Sequence, residues 1–273
     1  MKNILITGGT DGIGKALATY FLNKGNRVIV VGSSLPKGNR FIEEANSPNA
    51  IFIKADLSLI KENQRVMDEV RAIIGSLDAL ILCAQSQTFT QTRKITAEGF
   101  EFVFGLYYLS RYVLGYGLKN LLEQSEVPVI MNICGTGMNG KIDWNDLQIT
   151  NNYNSLKAIL QGSRLNDLAG VAFDLNNKTK IKYILYNPGG VQTKGATEAF
   201  ANPLLRVTVK LLYSIIAQPV GKAIEPALDL LMNIPKQSLS AYNQRKEVNL
   251  SNKIYDGQNA TRLYELTEKL LGK

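Results

Sequence analysis

The chain has 273 residues, 45% of them apolar and 20% charged, with a formal net charge of +8. That length can bury a substantial α/β core, and no apolar run reaches the roughly 20 residues needed to span a bilayer. There is no histidine and there are only two cysteines, Cys83 and Cys134, which excludes Ser-His-Asp triads, Cys-His pairs, histidine-rich metal sites and a disulfide framework. The basic residues are scattered, so the charge predicts attraction of a small polyanion and no nucleic-acid partner. The start, MKNILITGGT, reads as a strand and not as a signal peptide, which predicts a cytoplasmic protein with no transmembrane segment.

In chain order, strands are predicted at Asn3–Thr7, Arg27–Val31, Ile51–Ala55, Ala79–Cys83, Val129–Cys134 and Lys182–Tyr186. Helical patterns lie between them, at about 13–24, 59–74, 97–123 and 153–169. The strand runs are continuously apolar, as parallel strands covered on both faces must be. This alternation predicts one domain over 1–273 of the Rossmann type: an α/β, doubly wound, mainly parallel sheet with helices on both faces. Residues 190–235 are the least regular part and contain the apolar stretch Leu204–Ala217. They are expected to form a substrate lid, or a helix packed on the core or on a partner subunit.

The first strand runs into Thr7-Gly8-Gly9-Thr10-Asp11-Gly12-Ile13-Gly14. A glycine-rich turn between a buried strand and a helix lets the backbone approach a pyrophosphate, which the helix N-terminus then holds. The second strand ends in Val31-Gly32-Ser33-Ser34-Leu35-Pro36-Lys37, without the acid that usually binds the ribose hydroxyls of NAD. Ser33, Ser34 and Lys37, with Arg40 nearby, favour the 2′-phosphate of NADP(H), with NAD(H) as the other cofactor; Asp11 within the glycine turn runs against that preference.

Further signals follow in order, and together they resemble the short-chain dehydrogenase/reductase family over nearly the whole chain. Thr7-Gly8-x-x-x-Gly12-Ile13-Gly14 resembles its cofactor motif, and Asp56-Leu57 its adenine-contacting pair. Tyr153-x-x-x-Lys157 is similar to its catalytic pair, and Asn187-Pro188-Gly189 with Val191 and Thr193 to its nicotinamide-side loop. Gly140-Lys141-Ile142-Asp143 and the ending Ala260-Thr261-Arg262-Leu263-Tyr264-Glu265-Leu266 resemble the retinol-dehydrogenase and WW-domain-oxidoreductase branch. The resemblance implies hydride transfer between nicotinamide and a small carbonyl or alcohol substrate, and a homodimer or homotetramer packed through the helices near 97–123 and 153–169. The helical pattern at 153–169 carries both residues, and their spacing of four puts them on one face. Lys157 would then favour the phenolate of Tyr153, the acid–base group.

Three positions depart from that pattern. The family's substrate-orienting serine falls at Gly135, with Thr136 the adjacent substitute. Its asparagine falls at Tyr107, and its Asn-Asn-Ala-Gly segment reads Leu82-Cys83-Ala84-Gln85. Cys83, Ala84 and Gln85 keep backbone contacts to cofactor under this alignment. These departures set an active reductase against a second expectation, a nucleotide-binding sensor or interaction protein. Cys83 and Cys134 end neighbouring strands and are expected close together as reduced thiols.

Overall fold

In the computed structural model, which describes residues 1–85, 91–192 and 217–272, the six predicted strands form within a residue of their expected ends. They are β1 (Asn3–Thr7), β2 (Arg27–Gly32), β3 (Ala50–Lys54), β4 (Ala79–Leu82), β5 (Val129–Ile133) and β6 (Lys182–Asn187). β7 (Val191–Gln192) and β8 (Gln218–Pro219) pair separately, while β9 (Leu239–Asn243) and β10 (Lys246–Glu247) extend the main sheet. Its order is β3-β2-β1-β4-β5-β6-β9-β10, with only the β9–β10 pair antiparallel. The order reverses between β1 and β4, which opens the crevice where such sheets bind ligands.

Both sheet faces are covered, as the continuous apolar runs require. Ile4, Ile6, Val28, Val30 and Ile184 face one core; Leu5, Ile29, Val31, Leu80 and Leu185 face the other. Helices α1 (Gly12–Asn23) and α3 (Ile60–Ile73) form where predicted. Between them lies α2 (Leu35–Ala45), a helix that is not among the predicted ones and that contains Pro36 and Gly38. Proline in a first helical turn costs nothing, since its missing N–H would have no partner there. Gly38 is needed because a Cβ there would run into the Phe52 ring.

The predicted helix at 97–123 is broken in three. A π-helical turn at Phe104–Leu109 leads into α4 (Ser110–Gly117) and then the short α5 (Lys119–Leu122). The wide turn coincides with an intruding side chain: the Asn166 amide donates to the Tyr107 carbonyl at 2.7 Å, a recognised cause of disrupted helical ladders. The predicted helix at 153–169 is α6 (Ser155–Asn176), starting two residues late. Part of the stretch read as irregular is α7 (Val220–Met232). Its Ala223, Ile224, Ala227, Leu228 and Leu231 complete the core beside β6, so 220–232 is not a lid. Leu204 and the residues up to 216 lie outside the described residues.

The C-terminal helix α8 (Gly257–Leu270) packs along α6. Its Tyr264 ring stacks on Tyr112 and Tyr116, Glu268 accepts from the Tyr112 hydroxyl at 2.9 Å, and Tyr108 bonds Thr267 at 2.6 Å. This helix thus covers part of α4 and α6, the helices expected to pack subunits together. No helix of the described residues is long and apolar enough to cross a membrane.

The cysteines are not neighbours. Leu82 pairs with Asn132 across β4 and β5, so Cys83 stands opposite Ile133 and Cys134 is one residue further on. A one-residue offset puts side chains on opposite faces of a sheet. Accordingly Cys134 belongs to the core on the α6 side and Cys83 packs against the other. Both are free thiols. Burial pushes Cys134 up to about 11 and Cys83 up to about 12, against the opposing pull of Arg111.

Two outcomes follow from these contacts. At pH 8 the native chain should resist thiol reagents and should release two thiols on denaturation. Because the raised values stabilise the fold below the free-thiol pKa, that contribution should fade as pH rises from about 9 toward 12. Light scattering should give the mass of one 30.1 kDa chain; a stable dimer would mean that another surface joins the subunits.

Candidate functional site

The turn after β1 is shaped by close backbone contacts. Gly8 (φ +66°) lies so near the β4 end that a Cβ would come within 3.0 Å of Ala84 Cα. Gly12 also has positive φ (+52°), where other residues would be strained. A Cβ on Gly14 would come within 2.4 Å of the Gly8 carbonyl, so α1 abuts the turn. Asp11 caps α1 by accepting the Gly12 N–H at 2.8 Å, and the N–H groups of Ile13 and Gly14 have no acceptor within the helix. Thr10 leans on Gly32, where a Cβ would meet its hydroxyl at 2.9 Å. Positive-φ glycines, unclaimed amides and a helix N-terminus together fit the pyrophosphate of a dinucleotide.

Beside the turn, Ser33 and Ser34 lead into α2. Ser34 is its N-cap, accepting the Lys37 N–H at 3.4 Å. The Lys37 ammonium bonds the Asp11 carboxylate at 2.6 Å, so the acid within the turn and the base expected at the 2′-position form one pair. Both are exposed, and an exposed pair contributes only about 0–1 kcal/mol. A phosphate would displace it easily. Asp56 orders the next loop by accepting from the Ser58 N–H and hydroxyl at 3.0 and 2.7 Å, and Leu57 beside it is buried.

At the other end of the crevice, the Thr7 hydroxyl accepts the N–H groups of Cys83 and Ala84 at 3.1 and 3.2 Å. Gln85 ends this described stretch. In the loop after β6, Asn187 accepts the Gly189 N–H at 2.9 Å and donates to the Thr136 carbonyl at 3.1 Å. Gly189 adopts φ +74° and Pro188 accepts from the Gln218 side chain at 2.8 Å. Val191 is held by pairing with β8. Thr193 lies outside the described residues.

The predicted catalytic trio does not assemble. Tyr153 precedes the α6 N-cap, Asn154, so it and Lys157 do not share a helical face. The Tyr153 hydroxyl donates to the buried Glu101 carboxylate at 2.9 Å. Burial first, and then the Glu101 charge, raise its pKa, the reverse of activation. The Lys157 side chain is exposed and has no bonded partner among the described residues. The Thr136 hydroxyl is fully buried and bonded to Tyr255 at 2.8 Å.

A different set of side chains surrounds Gly135. The Tyr107 hydroxyl accepts the Gly135 N–H at 3.0 Å and lies 3.2 Å from Ser163 Oγ. Ser163 donates its own proton to the Ile159 carbonyl at 2.9 Å, so Tyr107 is the donor to Ser163. Ser163 lies eight residues into α6 from its first residue, Ser155, roughly 12 Å along the helix. Beneath this cluster Arg111 is 2% exposed. It donates to the carbonyls of Ile133 and Ala84 at 2.7 and 3.0 Å and to Asn132 Oδ1, and it stacks on the Tyr107 ring at 4.5 Å. Asn132 donates to Asn166 at 2.9 Å. Arg164 forms a buried ion pair with Asp167. Sequence reasoning passed over Arg111, although a lone charge in the apolar run Val103–Leu114, four residues after Tyr107, was the available signal.

Glu101 is buried and accepts from Val103 N, Phe104 N and Tyr153. The Tyr153 hydroxyl thus ties the approach to α6 onto the start of the π turn. Tyr153→Phe should cost roughly 1.5–3 kcal/mol in denaturant unfolding and leave nucleotide affinity unchanged.

Residues 2–203 match the family described as short chain dehydrogenase. An uncharacterized oxidoreductase of Saccharomyces cerevisiae is 29% identical over 201 residues, covering 70% of this chain and 61% of that protein. Elsinochrome reductase 1 of Elsinoe fawcettii is 32% identical over 108 residues, 38% of this chain and 40% of its own. The matched segments thus span about three fifths or less of these relatives. Among solved structures, a short chain dehydrogenase of Shigella flexneri complexed with NADP superposes with a TM-score of 0.66 at 15% identity, covering 90% of this chain and 97% of its own. A 3-ketoacyl-(acyl-carrier-protein) reductase of Brucella melitensis complexed with NADH gives 0.66 at 18% identity, over 89% and 96% of the two chains. The likeness to these structures is one of fold; the match over residues 2–203, with the glycine turn at the β1–β4 crevice, shows that the chain belongs to the short chain dehydrogenase family.

Proposed function

We propose that this protein is an NADP(H)-dependent oxidoreductase acting on a small carbonyl or alcohol substrate. The observation that carries the reading is the glycine turn at the switch point, with unclaimed helix amides and no acid at the end of β2. The names of relatives, elsinochrome reductase and hydroxynaphthalene reductase-like protein, support reduction as its direction. When bound, a reduced nicotinamide supplies hydride to a carbonyl carbon. The chain must then bring one proton to the oxygen. Tyr153 and Lys157 are poorly arranged for this, since Tyr153 is committed to Glu101. The hydroxyl beside Gly135 belongs to Tyr107, and we assign proton donation to it, its hydrogen turning from Ser163 to the substrate oxygen when substrate binds.

A second reading, nucleotide binding without turnover by a sensor or interaction protein, has its own support. The hydroxyls of Tyr107, Tyr153 and Thr136 are all engaged within the protein. NADPH oxidation against a panel of aldehydes and ketones separates the two. The reductase reading expects turnover that Tyr107→Phe lowers roughly 10²–10⁴-fold and Tyr153→Phe leaves nearly intact. Tight NADPH binding with no turnover across the panel would establish the second reading.

Cofactor preference has a separate test. Lys37→Ala should weaken NADPH binding about tenfold or more and leave NADH almost unaffected, because the ammonium meets only the 2′-phosphate. Asp11→Asn, which frees Lys37, should tighten NADPH. Equal losses for both nucleotides in Lys37→Ala would overturn the NADP(H) assignment.

A further inference from the structure

Among the described residues, Arg111 is a buried cation without an anion. Its guanidinium bonds two backbone carbonyls and the Asn132 amide oxygen, all neutral, and its Nε has no partner. None of the ion pairs among the described residues includes it, whereas the other buried arginine, Arg164, is matched by Asp167. The titratable groups it influences are Cys83, Cys134, Tyr107 and Tyr183, on β4, β5, the π turn and β6. Burial keeps all four protonated and therefore neutral at neutral pH. A unit positive charge thus stands unneutralised in a low-dielectric setting, where its field reaches further than at the surface.

Its place gives that charge a consequence. The carbonyls it grips, Ala84 and Ile133, lie at the carboxyl ends of β4 and β5. The Ala84 backbone also abuts Gly8 of the glycine turn, where a Cβ would come within 3.0 Å of Ala84 Cα. Arg111 therefore lies one peptide layer beneath the crevice. Resting on the dinucleotide reading above, we propose that Arg111 makes this site select the reduced, uncharged nicotinamide over the oxidised ring, which carries a positive charge. At an effective dielectric of about 20, a unit charge buried beneath the crevice would favour the uncharged ring on the order of tenfold.

The test is a binding measurement without turnover. The wild-type chain is titrated with NADPH, NADP⁺ and 2′-phospho-ADP-ribose, which lacks the nicotinamide. NADPH should bind at least tenfold tighter than NADP⁺, and NADP⁺ no tighter than the truncated nucleotide. Arg111→Lys should keep that ratio and Arg111→Met should bring it within about threefold of unity. Should Arg111→Met not fold, Asn132→Asp supplies the missing anion beside Arg111 and should lower the ratio in the same way. Equal wild-type affinity for NADPH and NADP⁺, or an unchanged ratio in a folded charge-neutralised variant, overturns the proposal. Failure of all three ligands to bind would instead overturn the dinucleotide reading on which it rests.

Discussion

The site depends on how the end of β1 is clamped to the end of β4. The Thr7 hydroxyl takes both the Cys83 and Ala84 N–H groups, and Gly8 packs on the same backbone without room for a side chain. These strands pair up to Thr7 and Leu82, and the Cys83 N–H also reaches the Thr7 carbonyl at 3.2 Å, so the Thr7 side chain extends the ladder one residue further at the switch point of the sheet. Arg111 also grips the Ala84 carbonyl and joins it to Ile133. The crevice floor is thus a hydrogen-bonded unit spanning β1, β4 and β5, and the glycine turn is poised above it.

The departures from the family pattern around Gly135 are physically one change. A Cβ on Gly135 would come within 2.7 Å of Ser163 Oγ, and one on Gly162 within 2.7 Å of the Tyr107 ring. A bulky Tyr107 therefore fits because Gly162 carries no side chain, while Gly135 leaves room for Ser163. Its hydroxyl joins the Gly135 N–H to Ser163, so no buried polar group is stranded. Tyr153, by contrast, serves the Glu101 carboxylate and closes the base of the α6 approach.

Charge is distributed with the same economy. The exposed Lys37–Asp11 pair is cheap to exchange and sits where an anion would arrive. The buried Arg164–Asp167 pair is internally matched. Arg111 alone is held by dipoles, and its cost is met only because three oxygens point at it.

The sequence by itself determined the sheet and the dinucleotide crevice. Continuous apolar runs and the Gly8–Gly14 turn report on local chain properties, namely burial on both faces and backbone freedom, and these leave residue-level signatures. Tertiary structure decided the rest. Helix α2 was hidden by Pro36 and Gly38, and α7 by Pro226, because packing against Phe52 and β6 overrides weak local propensity. A spacing of four between Tyr153 and Lys157 is meaningful only if both lie within the helix, and the Asn154 cap excludes Tyr153. Nor could spacing reveal that Gly135, Tyr107 and Ser163 meet, since contacts between distant segments depend on sheet register and helix phase. The glycine turn was legible because its chemistry is local; the cluster around Gly135 was not, because it exists only once β5, the π turn and α6 are packed together.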